Sequence, residues 1–208
     1  MKTKFLPSIG LLLATAFLLA CSCGGSGFPF NLLATSTPTP IPTATPTPTP
    51  LPTPTPSINL GTRITIPQGG FSFRPVIGYE VEAESDTVYI TSPDQHVITM
   101  FAGTYDTSAS NDLNQVSQDF LDVLRSDMPD MITNPSWNIF VGGTQALATD
   151  LSGTLNGAET RGRIVVAIPY DNQYFFAICL TNGASYWESE GRAAFEAMLG
   201  SVTFFSLR

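Results

Sequence analysis

Four acids, Glu80, Glu82, Glu84 and Asp86, recur at every second position. On a strand, where side chains alternate between faces, they would share one side. Crowded carboxylates repel and raise one another's pKa unless solvent or a cation screens them, so the row is a candidate contact for Ca²⁺ or Mn²⁺. A solvated outer face accounts for the same row without a ligand. The sole histidine, His96, stands two residues after Asp94 beside a turn. The two supply two metal ligands where zinc needs at least three from the protein, and Glu80, Glu82 and Glu84 complete a set only if the two regions are neighbours. Cys179 lies in the apolar run Tyr174–Leu180, where a thiol behaves as a small buried hydrophobe, and a nucleophile would need an adjacent base. With one histidine in the chain, any Cys-His or Ser-His-Asp arrangement must use His96. Arg161 and Arg163 share a strand face, and either bind an acidic partner or answer acids of a paired strand such as Asp150. No phosphate-cradling glycine loop, zinc spacing or nucleotide fingerprint occurs. The expectation is no catalytic residue, no cofactor and no metal beyond that speculative set.

One further thiol sits where chemistry is expected. Leu18-Leu19-Ala20-Cys21 ends an apolar run that begins near Ile9, after the basic start Met1-Lys2-Thr3-Lys4. The run falls short of the ~20 residues that cross a bilayer and has the layout of an export signal. It resembles a bacterial lipoprotein signal peptide, with Cys21 as the residue that receives lipid and becomes the mature N-terminus. Sulfur suits the role as a strong nucleophile. Each buried methylene contributes ~0.8 kcal/mol, so one acyl chain binds reversibly and several bind stably. An ordinary secretory signal with an incidental Cys21 is the competing reading, and Cys23 has no assigned part.

Removal of residues 1–20 takes away both lysines, Lys2 and Lys4, and leaves seven arginines against seventeen acids, a net charge of -10. That acidity counts against nucleic acid and against direct attraction to anionic lipid, so lipid on Cys21 would be the membrane contact. Cys21, Cys23 and Cys179 make no disulfide framework. Residues 21–56 pass from a Gly-, Ser- and Phe-containing stretch into a near-repeat of Thr and Pro from Thr35 to Pro56. Proline fixes φ and lacks the amide donor, so the tract favours extended polyproline II, rising ~3.1 Å per residue, and reads as a tether. Its threonines are candidates for O-glycosylation. Residues 57–208 are enough for one domain with its own core, since a domain near 150 residues buries about 68 to 70% of its unfolded surface.

Within that domain, strands are expected at Arg63–Ile66, Phe71–Phe73, Tyr79–Glu84, Thr87–Thr91 and Val97–Ala102. Ser110-Asn111-Asp112 caps an amphipathic helix with Leu113, Val116, Phe120, Val123 and Leu124 on one face, stopped by Met128-Pro129. Trp137–Val141 follows as a strand, then Gln145–Thr154 and Thr160–Ile168 as a hairpin about Asn156-Gly157, and Tyr174–Thr181 after the Asp171-Asn172 turn. Ser185-Tyr186-Trp187-Glu188 reads as a capping box for a second helix with Ala194, Phe195, Met198 and Leu199 buried and Gly200 at its end. Val202–Phe205 is a last strand. The order implies an α+β fold: an antiparallel sheet of about six to seven strands flanked by two helices.

The segments Gly70-Phe71-Ser72-Phe73-Arg74-Pro75 and Gly78-Tyr79-Glu80-Val81, the mid-chain helix, Gly143-Thr144-Gln145-Ala146 before the long hairpin, and Phe195-Glu196-Ala197-Met198-Leu199-Gly200-Ser201-Val202-Thr203-Phe204 together resemble the PsbP/Mog1-like superfamily. That group includes many small bacterial lipoproteins. The resemblance implies an α/β/α sandwich and a binding or accessory role rather than an enzyme, and it brings no functional residues, because no local motif here matches a member's site. The expected protein is therefore an outward-facing, lipid-anchored module for another envelope or extracellular protein, of unspecified oligomeric state. A divalent-cation-binding module and a wall-acting hydrolase with paired carboxylates stand as the alternatives. If Cys21 carries the lipid, Cys21→Ser moves the chain out of the membrane fraction and mass spectrometry finds no acyl group at its N-terminus. Unchanged fractionation would contradict the anchor.

Overall fold

A computed structural model describes residues 58–207. Cys21, the leader 1–20 and the Thr/Pro tract 21–56 lie outside the described residues. The chain builds β1 (Ile64–Ile66), β2 (Phe71–Phe73), β3 (Glu80–Ala83), β4 (Thr87–Thr91) and β5 (Val97–Tyr105), then α1 (Leu113–Asp127). Next come β6 (Ile132–Thr133), β7 (Trp137–Val141), β8 (Thr144–Leu155), β9 (Ala158–Tyr170) and β10 (Gln173–Asn182). The C-terminal part is α2 (Ala184–Tyr186), a π-helical turn (Trp187–Gly191), α3 (Arg192–Gly200) and β11 (Thr203–Phe204).

Alternation along β5, β9 and β10 places apolar side chains on both faces of the sheet, so both faces must be covered. One face carries Met100, Ile164, Val166, Tyr174, Ile178 and Leu180, and α1 closes it with Val116, Phe120, Leu121 and Leu124. Asp112 caps α1 by accepting from the Asn114 amide at 2.9 Å, as its sequence position predicts. The other face carries Phe101, Val165, Ala167, Phe175, Ala177 and Cys179 beneath Trp187, Phe195, Met198 and Leu199. The expected buried stripe of the last helix is the observed one, Ala194, Phe195, Met198 and Leu199.

The expected antiparallel sheet flanked by helices is present, with more strands than the six to seven anticipated. The structure holds an eight-stranded antiparallel sheet, in the order β3-β4-β5-β10-β9-β8 with β6 and β7 both on β8, and a separate three-stranded sheet β1-β2-β11. All three residues of β2 are buried: Phe71 and Phe73 point into the main sheet, which therefore carries β2 as a lid rather than as a neighbour. Phe71 meets Phe175 at 5.2 Å and Phe73 meets Phe101 at 5.1 Å, both edge to face, and Phe204 of β11 meets Phe175 at 5.1 Å. The lid sits close: a Cβ on Gly103 would lie 1.9 Å from the Gly69 carbonyl oxygen.

The Ser185 capping box is also corrected. Gly183, at φ 96°, is the N-cap and no side chain caps the helix there. Its amide donates to the Glu159 carbonyl at 2.8 Å, so the chain turns out of β10 two residues before Ser185, leaving Ser185 inside the first turn.

A polar joint holds lid to sheet. Gln173, 2% exposed at the head of β10, donates from Nε2 to the carbonyls of Phe205 at 3.0 Å and Gly70 at 3.4 Å, and accepts from the Leu207 amide at 3.1 Å through Oε1. Gly70 must be glycine on two counts, φ +69° and a Cβ that would fall 2.2 Å from that Nε2. Two outcomes are expected in urea unfolding. Phe101→Ala empties the centre of the aromatic cluster and lowers stability by about 3–5 kcal/mol. Gln173→Ala removes the partner of the Phe205 carbonyl and of the Leu207 amide, while the Gly70 carbonyl keeps the Phe205 amide, and lowers stability by about 1–3 kcal/mol.

Candidate functional site

The acidic row does not survive as a row. β3 ends at Ala83, and the Glu84 amide donates to the Thr87 carbonyl at 2.8 Å, so Glu84 and Asp86 belong to the turn into β4. Only Glu80 and Glu82 share the strand, both exposed on the outer edge of the sheet. Asp94 is engaged in the β4–β5 turn, accepting from the Ser92 hydroxyl at 2.6 Å and the His96 amide at 3.2 Å. Those bonds, the Ser92 hydroxyl foremost, hold its carboxyl below the usual range. Among the described residues no three His, Cys, Asp or Glu side chains gather as a metal-holding group, so the structure does not bring Glu80, Glu82 and Glu84 together with Asp94 and His96.

His96 instead stacks on Tyr186 of α2, ring centroids 3.9 Å apart and 18° from parallel. Its Nδ1 is buried without a hydrogen-bond partner among the described residues. Tyr79 donates its hydroxyl to Glu190 of the π-turn. Burial first, then the Glu190 hydrogen bond and charge, push the Tyr79 phenol far above its ordinary value.

Arg163 is the centre of a second group. It donates through Nε to Asp150 at 2.6 Å and through one terminal nitrogen to Glu196 at 2.7 Å. Its guanidinium lies 4.8 Å from the Trp137 ring centre and 5.5 Å from that of Trp187. Burial opposes its charge, but the bonds from Asp150 and then Glu196 prevail and raise its pKa. Of the two arginines considered as anion binders, Arg163 answers Asp150, directly opposite on β8, and Arg161 stands exposed opposite Ser152. Cys179 is fully buried, its Sγ 3.9 Å from the Gly191 carbonyl oxygen, and burial pushes the thiol up to about 12. It belongs to the buried core beneath Trp187 and Phe195.

Both groups are set by the π-turn. The Arg192 amide bonds back to the Trp187 carbonyl across five residues, and Gly191 lets the turn rest on the sheet, since a Cβ there would lie 2.5 Å from Thr181 Cγ2. From it Tyr186 reaches His96, Glu190 reaches Tyr79, and Trp187 meets both Arg163 and Arg192.

The opposite end of the sheet carries the open surface. β5 runs to Tyr105, three residues past the Ala102 end expected from sequence, and brings Tyr105 opposite Gln173. Tyr170 ends β9 across the Asp171-Asn172 turn, where Asn172 takes φ 61°. Tyr105, Tyr170, Asp171, Gln173 and Ser206 line a shallow concavity of about 200 Å³, with the two tyrosines 39% and 43% exposed. Sequence reading missed this pair, because the alternation that marks β5 fades after Ala102. The only signal was the position of Tyr170 beside a turn whose other side is the buried Gln173-Tyr174.

No protein-family model matches the sequence, and no curated protein does. Among solved structures the chain is similar to the cyanobacterial PsbP (CyanoP) of Synechocystis, with a TM-score of 0.53 at 9% identity over 74% of this chain and 96% of that one. It is equally similar to the Ran-binding protein Mog1p of Saccharomyces cerevisiae, with a TM-score of 0.53 at 8% identity over 71% and 96%. At such identities the likeness is one of fold: the domain has the PsbP/Mog1-like α+β fold.

Three outcomes are expected. The Tyr79 pKa is higher folded than unfolded, so its contribution is fully present below about pH 10 and lost as pH rises further. Burial also raises Tyr89 and Tyr174, so absorbance titration at 295 nm should show a group of tyrosines that ionise late, with one fewer of them in Tyr79→Phe. Cys179 should resist thiol reagents at pH 8 until denaturant is added. Arg163→Met, which strands the half-buried Asp150, should cost about 1.5–3 kcal/mol, with Arg163→Lys losing less.

Proposed function

We propose that this chain is an outward-facing lipoprotein, held by acylated Cys21 on the 21–56 tether, whose 57–208 domain is a non-catalytic binding or accessory module for another protein of the cell envelope. The observation that carries the reading is the tyrosine-rimmed concavity at the β5–β10–β9 end. At about 200 Å³ it is below the ~300–1,000 Å³ of typical small-molecule pockets. It suits one inserted side chain of a protein partner, flanked by tyrosines of the kind that anchor interfaces. Mog1p, which shares the fold, is a Ran-binding protein, so this scaffold supports protein recognition in at least one other setting.

The ionisable groups support the same reading. Arg163, Asp150, Asp94, Tyr79 and Glu190 are engaged with one another or with the backbone, and Cys179 is sealed. Affinity capture from envelope extracts should recover one specific protein with the native chain and lose it with Tyr105→Ala/Tyr170→Ala. A partner retained by that variant would move the site elsewhere, and recovery of nothing across growth conditions would contradict the module.

A further inference from the structure

The main sheet has two dissimilar edges. β3, at one end, exposes Glu80 and Glu82, with Glu84 just beyond, the like-charge guard that keeps edges apart. β7, at the other, pairs with β8 alone among the described strands. Between Asp130 and Asp150 the sequence contains no charged side chain at all. Within β7 there is no proline, and its register with β8 is unbroken from Trp137↔Ala148 to Val141↔Thr144. Among the described residues no charge, proline or bulge guards this edge. Phe140, on this strand, is 77% exposed, the most exposed large apolar side chain among the described residues.

The turn fixes which backbone groups of β7 face outward. Gly142 and Gly143 have φ 54° and 81°, the pair of positive values that marks a two-residue type I′ hairpin. In such a turn Val141 and Thr144 exchange hydrogen bonds, so by alternation Ile139 and Trp137 bond to β8 while the N–H and C=O groups of Asn138 and Phe140 point away from the sheet.

We propose that β7 pairs antiparallel with β7 of a second copy of this chain, about a two-fold axis through Ile139, giving a sheet continuous across two domains. Symmetry supplies the match: Asn138 exchanges both backbone bonds with Phe140 of the second copy and the reverse, and Ile139 faces its own counterpart as a non-hydrogen-bonded pair. The two Phe140 rings lie diagonally, ~7–8 Å between backbones, within reach of each other. Charge selects the same edge. In an acidic chain of net charge -8, two copies meeting through β3 would oppose carboxylates, and through β7 they oppose none. The inference is independent of the tyrosine-rimmed site, which lies on other residues.

Ile139→Cys tests it in the full chain, with Cys23→Ser to remove the spare thiol. A non-hydrogen-bonded antiparallel pair brings the two Cα atoms to ~4.5 Å, within disulfide reach. Mild oxidation in the cells' own membranes should convert more than half of the chain to a reducible species of twice the mass, and Ala83→Cys on the guarded edge should give none. Sedimentation of the detergent-solubilised, unsubstituted chain should likewise show a dimer that Phe140→Lys converts to monomer, a change at an exposed position that leaves the core intact. Monomer from Ile139→Cys together with a sedimenting mass that Phe140→Lys leaves unchanged would overturn the proposal, as would a disulfide to a protein of different mass in place of the dimer.

Discussion

A buried amide joins the two sheets of this domain. Gln173 gives hydrogen bonds to Phe205 and Gly70 and takes one from Leu207, so the C-terminal segment and the approach to β2 are fixed to the head of β10 by a single side chain. In a low-dielectric setting such bonds are worth more than at the surface, and an unmatched partner costs more. The phenylalanine cluster supplies most of the adhesion, but apolar contact is non-directional. The amide sets the register in which the lid lies, and with it the floor of the tyrosine-rimmed concavity, which Gln173 also lines.

At the other end the π-turn plays the corresponding part. The extra residue that it inserts lets Tyr186 reach His96 while Trp187 covers Arg163, and Gly191 permits the close seat on Thr181 that both contacts need. Tyr79 with Glu190, and Arg163 with Asp150 and Glu196, pair with one another there, which makes this end a structural anchorage. The two ends of the sheet thus divide the work: one is closed by internal polar pairs, the other offers aromatic surface.

Much of this was legible in sequence because it rests on local patterns. Alternation and the Asn156-Gly157 turn locate β8 and β9, Asp112 locates the start of α1, and the spacing of Ala194, Phe195, Met198 and Leu199 gives the buried face of α3. Non-local facts were not legible. Phe71-Ser72-Phe73 looks like any short strand, and only packing over Phe101 and Phe175 makes it a separate lid. The four acids fit a strand pattern, but a turn after Ala83 divides them. Asp94 and His96 are neighbours in sequence with separate tasks, one bonding a turn and the other stacking on a distant helix. The Tyr105–Tyr170 pair depends on how far β5 extends beside β10, which is set by the partner strand rather than by β5 itself.

The most direct test of the binding account is site-specific photo-cross-linking in the living cell, with benzoylphenylalanine in place of Tyr170 and, separately, of Glu82 on the far edge. The account predicts one discrete adduct with another envelope protein from position 170 and none from position 82. Adducts of equal yield from both positions, or none from position 170 under any condition in which the chain is made, would contradict it.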